Sequence, residues 1–350
     1  MKDSLEIAKK QRIEYIDVLK GIGILSVVLL HTYSGYEISG KPIEYVLKYF
    51  TSFHMALFFF LSGLLFNPAI SDYKERIVRK IKTLFLPFLL WDGVIAIAVE
   101  AMRYALGSEG FANYDLKGQV IDFLLGKSSY TGSWFIFTLF MAYMFEYLIT
   151  FICKKTKINY KSVLVAVLHI LFVPAGILLS SVPLGEYYRL KYVFMATVFF
   201  YIGYLFGQIQ KERKENVVID IALFIVGMVL CFINSRVSFA EYKFGNIAFM
   251  FASAICTVCS LCGLTKLLTK KIKFRFLPFM GRNTIIIFYT HLIFMYIVIR
   301  MLEKLLHMQI HTFPAILAFV IIIAIEWVMI KIMPPFFKRF FGIYEIKKRK

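Results

Sequence analysis

Residues 16–33 read IDVLKGIGILSVVLLHTY, an apolar run broken by Asp17, Lys20 and His31. Read as a helix, its eleven-residue step from Lys20 to His31 returns to nearly the same azimuth at about 100° per residue. At about 1.5 Å of rise each, the two lie roughly 16 Å apart along one face. Asp17 falls on the same stripe. Titratable groups are costly in lipid unless their face meets protein or a wet cavity. The stripe therefore marks a candidate functional face in a membrane-embedded helix, and His31 is its member able to exchange protons near neutral pH.

The rest of the 350-residue chain agrees with that setting. It is 59% hydrophobic, with 37 Phe and 21 Tyr, and its mean hydropathy is +0.71. This excludes a soluble domain and predicts an all-α, polytopic transmembrane bundle. Ten spans are expected, at 16–35, 46–66, 83–104, 133–152, 162–181, 190–209, 217–234, 244–267, 282–302 and 312–334. No linker or internal repeat divides them, so 1–350 reads as a single integral-membrane domain.

A net charge of +19 could suggest nucleic acid, but its distribution excludes that reading. Basic residues alternate between rich and poor segments as the chain crosses. The rich ends, from the N-tail through Lys20, 74–82, 154–161, 211–214, 266–282 and 331–350, hold 30 of the 41 Lys and Arg. By the positive-inside rule they are cytoplasmic, as are both termini. No signal-peptide layout is present, so the first span is expected to stay in the mature protein. The five cysteines offer no extracytoplasmic pair. Cys256, Cys259 and Cys262, spaced by three, read as helix packing rather than a metal site.

Four more segments follow the first in order: FHMALFFFLSGLLF (53–66), RIVRKIKTLFLPFLLW (76–91), GSWFIFTLF (132–140) and FLPFMGRNTIIIFYTHLIF (276–294). Together the five resemble the membrane-bound acyltransferase-3 family over nearly the whole chain. That resemblance implies transfer of an acyl group, commonly acetyl from cytoplasmic acetyl-CoA, to a sugar or other acceptor at the far face of the plasma membrane. No cofactor would be permanently bound; acetyl-CoA or another acyl-CoA would be a co-substrate. The family's basic residue, ten intervening residues and His match Lys20 and His31, and its Arg-x-x-Arg matches Arg76 and Arg79. Some relatives append an esterase-like domain. This sequence ends at Lys350 without one, so the bundle is expected to perform the whole reaction.

The residues themselves leave alternatives open. Arg76 and Arg79 share a helical face and could chelate donor phosphates, or simply snorkel at a cytoplasmic boundary. The resemblance favours the donor role. His31, with Lys20 and Asp17, would form the catalytic stripe, either as general base or through an acyl-His intermediate. His54, Trp134, Asn283 and His291 are candidates for the acceptor or oxyanion site, with His54 expected near the depth of His31. His169 reads as structural. Asp92 and Glu326 are expected to pair with Lys20 or Arg79. Gly21, Gly23, Ser62 and Gly63 would permit close helix approach. The loop 104–132 would choose a carbohydrate or glycan acceptor. The competing class is a proton-coupled transporter using the same buried His and carboxylates. No feature specifies an oligomeric state.

Overall fold

A computed structural model describes residues 14–34, 42–93, 121, 125, 134–212, 215–306 and 312–343. The expected acceptor loop lies outside these residues apart from Ile121 and Leu125, as does the second half of the expected third span. Among the described residues the chain is mostly helical, with one isolated antiparallel bridge between Ser238 and Lys243 and no strand.

The helices are α1 (Glu14–Ser34), α2 (Ile43–Leu64), α3 (Tyr73–Lys80), α4 (Trp134–Thr156), α5 (Val163–Ser180), α6 (Leu190–Glu212), α7 (Val217–Ile233), α8 (Ile247–Lys271), α9 (Phe276–Arg282), α10 (Thr284–Leu306), α11 (Thr312–Ile332) and α12 (Pro335–Lys338). Among the described residues, eight are long and apolar enough to cross a membrane. α7, at 17 residues, falls just short of that length. The expected third span begins differently. α3 passes through a π-helical turn, Ile81–Phe85, into helix over 86–93.

Side-chain caps fix several entrances. The Asp72 carboxylate accepts from Glu75 N–H at 2.9 Å, and Ser162 Oγ accepts from Val165 N–H. Asn216 Oδ1 accepts from Val218 and Ile219 N–H, and Asn246 Oδ1 from Phe249 N–H. These bonds satisfy amides that a helix start leaves unpaired. Asn246 explains why α8 starts at Ile247 rather than at the expected residue 244. Asn283 separates α9 from α10, so the expected span 282–302 corresponds to α10, and α9 is a short helix leading into it. Pro278, in the first turn of α9, costs no hydrogen bond there.

Lipid tails are as apolar as leucine, so helices in a bilayer associate through close packing and polar contacts. A Cβ on Gly63 would stand 1.7 Å from Phe200 O, and one on Gly203 2.0 Å from Phe60 O. α2 and α6 therefore touch backbone to backbone. α1 and α9 do the same: a Cβ on Gly21 would meet Leu277 O at 2.3 Å, and one on Gly281 would meet Asp17 O at 1.8 Å. The close approach expected at Gly21 and Gly63 is thus explained by which carbonyl each faces. α7 and α8 are joined by Ser253 Oγ donating to Gly227 O and Ser260 Oγ to Asp220 O.

Candidate functional site

α1, α2 and α10 each bring one histidine to a common cavity of about 460 Å³. His31 lies in the last turn of α1, His54 midway along α2, and His291 two turns into α10. The His31 and His291 ring centroids are 5.3 Å apart at 48°, and His54 lines the same cavity. Trp134, the first residue of α4, lines the same cavity with Phe135, Phe288 and the loop residues Arg236, Glu241 and Lys243.

Backbone bonds orient two of the rings. His54 Nδ1 is 2.8 Å from Phe50 O, and His291 Nδ1 is 2.8 Å from Ile287 O. A carbonyl can only accept, so both Nδ1 atoms carry the proton. As neutral imidazoles, His54 and His291 then offer Nε2 as a lone pair. His291 Nε2 is buried without a hydrogen-bond partner. Trp134 has the opposite character, since its indole N–H can only donate.

The mouth loop was not singled out from the sequence. Residues 234–246 fold back because Asn234 Nδ2 donates to Phe244 O at 3.0 Å and Asn234 Oδ1 accepts from Asn246 N–H at 2.8 Å. Gly245 completes the turn with φ 61°. Tyr192 and Tyr242 hold the loop to α6 through hydroxyls donated to Ala240 O and Lys191 O. Lys243 Nζ pairs with Glu241 at 2.7 Å and keeps that carboxylate below its ordinary range. Two asparagines and a glycine bracketing a short polar run were the available signal.

The other expected residues lie apart. Asp17, buried in the first turn of α1, is 4.0 Å from Arg282, and Lys20 is half-buried one turn further on. Asn283 stands at the junction of α9 and α10, donating Nδ2 to Phe279 O at 2.8 Å, and does not line the cavity. Arg76 and Arg79 are exposed on α3 and do not line the cavity; α3 meets α4 at Tyr143 and Phe151, well along that helix from Trp134. Glu326 was expected to hold Lys20 or Arg79; its Oε1 instead accepts from Thr290 Oγ1 at 2.6 Å. Asp92 is buried.

A family model described as an acyltransferase domain matches residues 13–330. The chain belongs to the acyltransferase-3 family. It is therefore a multi-pass membrane acyltransferase, and the match extends over the elements that carry all three cavity histidines and both α3 arginines. No match was found among curated proteins or among solved structures. Membership answers the transporter alternative, because it makes the chain an acyltransferase.

A second polar cluster lies away from this cavity. Glu146 of α4 accepts the Tyr160 hydroxyl and stands 3.1 Å from His169 Nε2, while His169 stacks on Tyr201 at 4.0 Å. It joins α4, α5 and α6 through a histidine that the sequence marked as structural. The cysteines of α8 differ in burial: Cys262 is buried, Cys256 and Cys259 are partly so. Among the described residues no His, Cys, Asp and Glu group has metal-binding geometry.

Proposed function

We propose that the enzyme moves an acetyl group from cytoplasmic acetyl-CoA to a hydroxyl of a carbohydrate or glycan precursor at the outer face of the plasma membrane. The observation that carries this reading is the convergence of His31, His54 and His291 on one cavity, whose lining does not include Arg76 or Arg79. The basic ends then face the cytoplasm. The donor's phosphates stay there, against two exposed guanidiniums able to form charge-assisted bonds. Only the thin acyl-pantetheine arm enters, past Asp17 and Lys20.

His31 acts as general base. It takes the acceptor proton as the hydroxyl oxygen attacks the thioester carbon; the C–O bond forms, the C–S bond breaks, and the departing thiolate recovers the proton. The developing oxyanion needs a donor, which Trp134 can supply and neutral His54 and His291 cannot. Those two are better suited to receive the acceptor's hydroxyls. Direct transfer needs no separate acyl-enzyme, whereas an acyl-His31 intermediate would appear before acceptor is added.

The test incubates purified protein in nanodiscs with labelled acetyl-CoA or succinyl-CoA and a glycan mixture, followed by mass spectrometry. Acetyl ester on a glycan is expected. Release of free CoA without glycan labelling, or preference for succinyl-CoA, would overturn the corresponding part of the reading.

A further inference from the structure

The segment after α11 makes contacts that acyl transfer does not require. α12 and the 3-10 turn Arg339–Phe341 end at Gly342, with φ 72°. A Cβ there would lie 2.6 Å from Thr83 O, so the hook closes directly on the π-helical turn after α3. Phe341, 1% exposed, stacks on Trp91 at 4.1 Å and 16°. Trp91 Nε1 donates to Phe340 O at 3.0 Å.

These contacts bear on the arginines. α3 contains no buried residue; its own packing is limited to Tyr73, edge-on to Phe151 at 5.6 Å, and a partly buried Ile77. Its C-terminal end is held by Lys80 Nζ, 3.2 Å from the Tyr143 ring centroid, and by the turn that the hook covers. Thr83 in that turn donates Oγ1 to Arg79 O at 2.9 Å.

The hook's other face is apolar and basic together. Phe336 and Phe340 are 61% and 49% exposed, beside Lys338 and Arg339, and Lys331 and Ile332, the latter 75% exposed, precede them at the end of α11. In water this face would be an unsatisfied patch; at a bilayer surface, aromatic rings at the acyl boundary with cations at headgroup level are a stable arrangement.

We propose that the Pro335–Gly342 hook binds the anionic headgroup surface of the membrane and, through Trp91 and Thr83, positions the Arg76–Arg79 helix, so that donor affinity depends on lipid charge. The donor half rests on the reading of Arg76 and Arg79 given above. Trp91 and Phe341 are positioning residues.

Full-length protein in nanodiscs of phosphatidylcholine alone, or with phosphatidylglycerol added, tests this by two readouts: hydrogen exchange of residues 335–343 and acetyl-CoA affinity by calorimetry. Phosphatidylglycerol should slow exchange in the hook and tighten acetyl-CoA binding at least about threefold, on the scale of one or two surface cations. Lys338→Gln with Arg339→Gln should remove both responses, and Phe341→Leu should weaken acetyl-CoA binding in both lipids. Exchange indifferent to lipid charge would overturn the proposal. Slowed exchange with unchanged affinity, while Arg79→Gln still weakens binding, would overturn the coupling and leave the donor reading standing. Unchanged affinity in Arg76→Gln and Arg79→Gln would overturn the donor reading itself and the coupling built on it.

Discussion

At the residue scale, the three histidines differ in what their surroundings permit. His54 and His291 donate Nδ1–H to carbonyls of their own helices, which fixes their rings, while His31 alone of the three also lies on the Lys20 stripe, and on that ground the proposed mechanism gives it the acceptor proton. Only His31 was legible as a site residue from periodicity, because the Lys20 to His31 step needs nothing beyond helical geometry. The convergence of His54 and His291 on it depends on how α2 and α10 pack, which no local spacing encodes. Asn283 shows the converse: a family-like segment carried it, but its amide is engaged with Phe279 O. Glycine contacts give a separate prediction. Gly281→Ala forces a methyl into Asp17 O and should cost about 1–3 kcal/mol, read as a lower melting temperature of the detergent-solubilised protein; unchanged melting would contradict the α1–α9 contact.

At the element scale, the sequence announced nearly every span but not the pieces between them. α3, α9 and the 234–246 loop are short, and their positions come from tertiary contacts rather than from apolar periodicity. The loop tests this directly. Asn234→Ala removes two hydrogen bonds, roughly 1–3 kcal/mol of local order, and should raise the acceptor KM severalfold while acetyl-CoA affinity stays constant; equal effects on both substrates would contradict a role at the cavity mouth. Near the opposite ends of α7 and α8, Lys270 and Lys266 hold Glu215 below its ordinary pKa. Because that pKa is depressed, its contribution is full above the unfolded carboxylate pKa of about 4.3 and disappears as pH falls through the lower folded value. Glu215 is partly exposed, so Glu215→Gln should change stability by less than about 1 kcal/mol at pH 7 and by nothing measurable at acid pH, as followed by thermal unfolding across that range.

For the whole molecule, the charge asymmetry and the site geometry make one statement about direction. Thirty of 41 basic residues fall at alternate span ends, and Trp134 at the start of α4 lines the histidine cavity while α3 packs further along α4, at Tyr143 and Phe151. A cysteine introduced at Ser71 should therefore resist an impermeant thiol reagent in intact cells, and one at Ser235, beside the cavity mouth, should react; the reverse pattern would invert the proposed path of the acyl group. The central claim is that this path ends at His31. The most direct measurement compares wild type with His31→Ala, equally expressed in nanodiscs, for label moved from acetyl-CoA to glycan. A loss of at least about 100-fold, the scale of a missing general base, with acetyl-CoA affinity retained, is the predicted result. Near-normal glycan labelling by His31→Ala would contradict the account.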